Sequence, residues 1–229
     1  MASHVSTPIK VVIVGAGGHG LVVLDILNAS HAVGGRFKAV GFIDADPAIV
    51  RATVGGLPVF GHLNILPKLK LQQKITHAIV AIGDNRVRRS YAEKLLASGI
   101  ELINAIHPSA VVSPTVQLGC NIVIAAGGLI CTGVVIGDSA LINTGAIIDH
   151  ECQIGQGAHI CPGAKLAGRV TIGNGAFVGL GANVIQCVRV GNDATIGAGA
   201  VVLQDVESAT TVVGVPAKAV RRSNTAVAS

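Results

Sequence analysis

From Ile106 to Glu207 the chain divides without an insertion into 17 hexads, 102 residues in all, and every first position is Ile, Leu or Val. The tract runs IHPSAV, VSPTVQ, LGCNIV, through INTGAI, IDHECQ and IGQGAH, to IGAGAV and VLQDVE. Those three residue types fill 73 of 229 positions, too few to occupy one column throughout by chance, and self-similarity at a fixed period marks a repeat architecture. Position five is mostly Ala, Val or another small residue. Positions five and one lie two residues apart across the hexad junction, so on a strand they face the same way. Both are apolar or small and therefore point inward. Positions six and two point outward, and positions three and four, rich in Gly, Asn and Asp, make corners. A short strand and a corner every six residues build a triangular prism, the parallel β-helix.

Composition narrows the rest. With 50% hydrophobic and 13% charged residues the chain is not a disordered one. No stretch approaches about 18 apolar residues without a break, so membrane insertion is not expected. Phe37, Phe42, Phe60, Phe177 and Tyr91 are the only aromatic residues, and the core must come from small aliphatics. The polar start, Met1 to Pro8, and the glycines that end the apolar run after Lys10 do not read as a secretory signal. Five cysteines without a CxxC point to reduced thiols and a cytoplasmic protein. A formal charge of +5 suits anionic small molecules and, with so few aromatics, not nucleic acid.

Residues 1–105 have a different pattern. Lys10–Val14 is a continuous apolar strand, followed by Gly15-Ala16-Gly17-Gly18-His19-Gly20 and a helical run to Ala29. Phe37–Ile43 is a second strand ending at Asp44, and Ile75–Ile82 a third. Asn85–Ser98 is helical, with Arg86, Arg88, Arg89, Glu93 and Lys94 on its polar side, and Ile100–Ala105 leads into the first hexad. Alternating strands and helices imply a small parallel α/β domain of four or five strands. Ligands of such sheets sit at the carboxyl ends of the strands, where Gly15–Gly20, Asp44 and Gly83 fall. The GxGxxG spacing admits three readings: a dinucleotide site for NAD, a site for a phosphate- or nucleotide-linked ligand, or a tight strand–helix turn. A full dinucleotide fold has six strands, which disfavours NAD.

Taken together, the GAGGHG turn, FIDAD, AIGDN, INTGAIIDHECQIGQGAH and the terminal GVPAK resemble the bacterial nucleotide-sugar acetyltransferases of the hexapeptide-repeat family. These are enzymes of the UDP-4-amino-sugar N-acetyltransferase type, related to the sialic acid O-acetyltransferases. The resemblance runs from Lys10 to about Lys218. It implies a Rossmann-like α/β domain over 1–105 that binds a nucleotide sugar, and a left-handed parallel β-helix over 106–229 with a GVPAK tail. At three hexads per coil the repeat makes between five and six coils. It also implies a homotrimer with acetyl-CoA between adjacent β-helices, and acetyl transfer to a UDP- or GDP-linked 4-amino-4,6-dideoxy sugar that feeds glycan biosynthesis.

By the same resemblance His150 is the general base and Glu151 the carboxylate partner that strengthens it. His159, Leu180 and Ala198 contact acetyl-CoA, and Asn143 lies close to the reacting centre. Gly17, Gly18, His19, Asp44 and Gly83 match the nucleotide-sugar contacts. Relatives can carry two adjacent acids where this chain has Asp44-Ala45, with Asp46 one further on.

The hexad frame supports these roles. His150 and Glu151 hold positions three and four, at a corner, and His159 holds position six, so none belongs to the core. An amine attacking a thioester must lose a proton, and imidazole takes one near neutral pH, the more so beside a carboxylate. A zinc site at His150-x-Cys152 and His159-x-Cys161 is disfavoured, because Cys152 faces the core while Cys161 faces out. The hexapeptide carbonic anhydrases bind zinc through three histidines, but beyond His107 the repeat holds only His150 and His159. Outward apolar residues such as Val123 and Leu129 suggest faces buried between subunits. Two other functions remain: O-acetylation of a sialic or related sugar hydroxyl, and a non-catalytic nucleotide-binding scaffold.

Overall fold

The apolar run after Lys10 forms the centre of a sheet, as its lack of alternation predicts. Strand β1, Ile9–Val14, has parallel neighbours on both sides: β2, Phe37–Ile43, and the strand His77–Val80. Glu101–Leu102 closes the sheet beyond His77–Val80, again in parallel. The chain therefore steps from β1 to one side and then returns to the other, which leaves a crevice at the carboxyl end of β1. Helix α1, Gly18–Ala32, α2, Leu66–Gln73, and α3, Asn85–Ala97, complete this unit. A short hairpin, Thr53–Val54 with Leu57–Pro58, and α2 are elements that the hydrophobic pattern does not announce.

The computed structural model describes residues 7–222, in two units that divide between Pro108 and Ser109. Most of the start read as lacking a secretory signal, up to Ser6, lies outside the described residues.

The second unit is the left-handed β-helix, with two-residue strands made of position six of one hexad and position one of the next. As far as Val201–Val202 each strand pairs in parallel with the strand 18 residues on, which makes three faces, and Thr195–Ile196 pairs with Thr210–Val213, 16 residues on. Ile142, Ile160, Val178 and Ile196 stack in register inside the first face. Ile148, Leu166 and Val184 do so inside the second, and Ile154, Ile172 and Val190 inside the third. All are buried, as are the small residues at position five between them, Ala146, Cys152, Ala158 and Ala164 among others. A fully buried aliphatic side chain contributes roughly 1.5–3 kcal/mol, so the two inward columns carry the stability of the coil. The hairpin of Thr210–Val213 and Lys218–Arg222 ends the first face.

The corners have a fixed backbone requirement. Position four adopts positive φ in coil after coil, at Gly127, Gly145, Gly163, Gly181 and Gly199 along one edge. Glycine takes that conformation freely, whereas an L side chain resists it by roughly 1–2 kcal/mol. Glu151 and Arg169 sit there nonetheless, at φ 58° and 60°.

Four expectations need correction. His159 is buried, although it points away from the prism axis, because Phe177 one coil on packs its edge against the imidazole at 5.1 Å between centroids. Cys161 also points outward yet is buried, and so is Val123, which leaves Leu129 as the exposed member of that apolar pair. Arg88, placed on the polar side of α3, is 0% exposed.

Candidate active site

Two groups of residues answer to the expected site, one in each unit. In the first unit, β1 hands the chain to α1 through a turn whose glycines have distinct duties. A Cβ on Gly15, at φ 107°, would fall 2.6 Å from the carbonyl oxygen of Ala81, and one on Gly20 would collide with the carbonyl of Gly15. These two glycines let strand and helix approach. Gly17 and Gly18 meet nothing within 4 Å, and neither does Gly83 on the next loop, so these three border open space. They line a place where backbone can come close to a ligand.

The two helices that begin at this edge differ. Asp84 caps α3, its Oδ1 accepting from the N–H groups of Arg86 at 2.9 Å and Val87 at 2.8 Å. Helix α1 begins at Gly17 with no side-chain cap and no acidic residue in its first turn. Its amides and positive dipole end are available to an anion. Asp44 secures the turn beneath them, with Oδ2 accepting from the Ala16 N–H at 2.7 Å and Oδ1 from that of Asp46 at 2.9 Å. Both carboxylate oxygens thus hold backbone, leaving spare lone pairs for a ligand hydroxyl.

His19, in the first turn of α1, is mostly buried, and its Nε2 has no hydrogen-bond partner among the described residues. Burial, then the nearby charge of Arg88, pulls its pKa down to about 4, so the ring is neutral at physiological pH. Arg88, expected on the polar side of α3, is instead buried beside this turn. Its guanidinium donates to the carbonyls of Ile82 at 2.9 Å and Gly83 at 3.1 Å, and to Asn85 Oδ1 at 2.8 Å. Burial lowers its pKa to about 10, partly offset by Asp84; the group stays cationic and adds positive charge behind the glycine turn.

In the β-helix, His150 stands at the corner after Ile147–Ile148. Its Nδ1 lies 3.0 Å from Glu151 Oε2, and the two side chains are 42% and 60% exposed. Asp149 Oδ1 accepts from the His150 backbone N–H at 2.7 Å and fixes the corner. With Nδ1 turned to the carboxylate as donor, Nε2 is the nitrogen left to accept a proton. Asn143 and His159 meet at the preceding corner, Asn143 Nδ2 to His159 Nε2 at 3.5 Å. Leu180, 58% exposed, and Ala198, also exposed, hold position three on that same edge. The adjoining glycines 145, 163, 181 and 199 have nothing within 4 Å of a built Cβ, which keeps this edge open along its length.

The two corners flank the second face, so one chain does not place His150 beside Asn143 and His159. The neighbouring thiols are quiet. Burial pushes Cys152 and Cys161 up to about 11, and Cys152 Sγ donates to the Ala167 carbonyl at 3.1 Å. Cys131 is also raised, by burial and then by Asp149. Among the described residues no three His, Cys, Asp or Glu side chains gather as a metal site.

Comparison with known proteins follows this division. Residues 10–95 match the PglD N-terminal domain family, and residues 133–168 match the bacterial transferase hexapeptide family of six repeats. Perosamine N-acetyltransferase (PerB) from Caulobacter crescentus, solved with CoA and GDP-perosamine, is 44% identical, with 93% of this chain and 97% of that chain covered and a TM-score of 0.86. The acetyltransferase domain of PglB from Neisseria gonorrhoeae FA1090, solved with acetyl coenzyme A, is 36% identical over 93% of this chain and 100% of that one, with a TM-score of 0.84. UDP-N-acetylbacillosamine N-acetyltransferase from Bacillus subtilis (strain 168) is 34% identical over 117 residues, 51% of each protein. The match therefore spans about half the length of that curated relative.

Proposed function

The chain belongs to the hexapeptide-repeat nucleotide-sugar N-acetyltransferases, and on that premise we propose that it transfers acetyl from acetyl-CoA to the amino group of a nucleotide-linked amino sugar, with His150 as the general base. The observation that carries this reading is the His150–Glu151 pair, 3.0 Å apart at an exposed corner that is otherwise a turn. The nucleotide part of the acceptor is held by the first unit. Its diphosphate lies at the uncapped start of α1 over Gly17 and Gly18, near His19, Asp44 and Gly83, with the buried charge of Arg88 behind it. The relatives' ligands make a GDP- or UDP-linked amino sugar the class to test first.

In the reaction the amine attacks the thioester carbonyl and its proton passes to His150 Nε2. Glu151 holds the ring in the tautomer that leaves Nε2 free, and its charge stabilises the imidazolium that forms. The proton then leaves with the thiolate of CoA, so atoms and charge balance without a covalent intermediate on the protein. His159, Asn143, Leu180 and Ala198 contact acetyl-CoA and the reacting centre.

The separation of the two corners supports a homotrimer, in which His150 of one chain faces the acetyl-CoA edge of the next. Exposed apolar residues on the second face, Val111 and Leu129, agree with a covered surface. No helix among the described residues is long and apolar enough to cross a membrane, and the protein acts in the cytoplasm, where acetyl-CoA is available. The direct test is CoA release with GDP- and UDP-linked 4-amino sugars against sialic acid. Release with the amines alone supports N-acetylation; release with the hydroxyl acceptor alone replaces it by O-acetylation; none with any acceptor favours a scaffold. Sedimentation equilibrium returning the mass of one chain would remove the intersubunit site.

A further inference from the structure

Apart from Gly128, which fills a position in the inward column against Ile124 and the Ala125 carbonyl, the glycines of the hexads fall into two classes with evident causes, and Gly168 belongs to neither. At position two, glycine is demanded by the next coil: a Cβ on Gly155 would lie 2.6 Å from Asn174 N, and one on Gly173 2.5 Å from Asn192 N. At position four it supplies positive φ. Gly168 is the only glycine among the 17 position-three residues, where Pro, Cys, Ala, Thr, Asp, His, Gln, Asn and Leu are otherwise accepted. Its own φ is not positive; the left-handed slot of this hexad falls one residue later, on Arg169. The backbone therefore gives no reason for glycine at 168.

The side chain above it does. A Cβ on Gly168 would stand 2.5 Å from His150 Cε1, nearer still to Nε2, and 3.0 Å from Cδ2. The three nearest atoms all belong to the one imidazole, and none is backbone. We infer that Gly168 is a positioning residue for His150, its missing side chain being the space in which the ring lies with Nε2 held over the corner and Nδ1 on Glu151. The inference rests on His150 acting as the base, but the geometry stands apart from it. Any larger residue at 168 must push the ring outward, which is cheap in stability because a side-chain tip moves, and costly for a proton transfer that needs about 3 Å alignment.

The test is a double-mutant cycle. Gly168→Ala should lower kcat by about 10–100-fold, the size expected for roughly 1 Å of misplacement, with the KM of acetyl-CoA and the thermal midpoint little changed. In a His150→Ala background the same substitution should change the residual kcat less than about twofold, because there is no ring left to displace. An unchanged kcat in Gly168→Ala, or the same loss in both backgrounds, overturns the inference. If Gly168→Ala fails to fold, recovery of folding with His150→Ala supports it and continued misfolding refutes it. Should His150→Ala alone keep full activity, the base reading fails separately. The positioning claim is then judged by the ¹⁵N shift of His150 Nε2, which must change in Gly168→Ala for it to survive.

Discussion

Two corners of the same prism use one hexad position in opposite ways. Where the third face meets the first, position-three and equivalent side chains turn back onto the coil. Asp138 Oδ1 accepts from the Cys120 N–H, Asn174 Oδ1 from that of Gln156, Asn192 Oδ1 from that of Asn174, and Ser208 Oγ from that of Asn192. Each polar group is consumed by backbone, and the corner is a ladder. Where the second face meets the third, His150 occupies position three and bonds sideways to Glu151 at φ 58°. The repeat provides the frame, and His150 is a side chain withheld from it, which is what the proposed chemistry requires. The helix starts of the first unit repeat the contrast: Asp84 spends its carboxylate on α3, while α1 keeps its amides open at Gly17 and Gly18.

Substitutions on the two sides of each contrast should behave differently. His150→Ala should cost about 10²–10⁴-fold in kcat at pH 7, the usual range for a lost acid–base group. Its thermal midpoint should hold, since an exposed ring carries little packing. Next in size is an acid sensitivity at the open helix start. His19 has its folded pKa at about 4, below the ordinary 6.5, so between those values the unfolded chain binds the extra proton. Stability from this residue is whole above about pH 6.5 and is lost as the pH falls toward 4, by up to about 3 kcal/mol. Thermal melts at pH 7 and 5 should show a larger loss for the native chain than for His19→Gln; equal losses would mean that the ring is solvated.

Gly18→Asp should leave the fold intact, because its Cβ has open space and an acid suits a first turn. The new carboxylate would occupy the anion seat and raise the KM of the nucleotide sugar by about tenfold or more, read by initial rates with acetyl-CoA saturating. The smallest effect belongs to the ladder. Asn174→Ala should leave kcat and both KM values alone and lower stability by about 0.5–1 kcal/mol, the worth of one exposed side chain–backbone bond, measured by denaturant titration. A large activity loss there would erase the distinction between the corners.

How far the sequence foretells this depends on which physics is local. Inward columns at positions one and five, and corners at three and four, follow from a period of six and are borne out from Ile122 to Val202. The parallel α/β unit follows likewise from Lys10–Val14, the glycine turn and Phe37–Ile43. Arg88 was legible in part. It lies four residues before Ala92 and seven before Leu95, on the buried stripe of α3, and its charge disguised its place. The burial of His159 depends on Phe177, 18 residues on in the same column, a pairing that the frame contains but that hydropathy alone does not weigh. Helix α2, with Lys68, Lys70 and two glutamines in eight residues, has too weak an apolar face to be seen. The opening at Gly17, Gly18 and Gly83, as against the packing at Gly15 and Gly20, needs coordinates, because one residue type serves both purposes.

On the proposed mechanism His150 removes the proton of the attacking amine. This step is tested most directly by the rate of acetyl transfer in single turnovers, compared between the native enzyme and His150→Ala from neutral to alkaline pH. A ratio of about 10² or more is expected near pH 7, shrinking steadily as hydroxide takes the proton of the attacking amine in place of the missing imidazole. A ratio that stays constant across the range, or one near unity at pH 7, would contradict the mechanism.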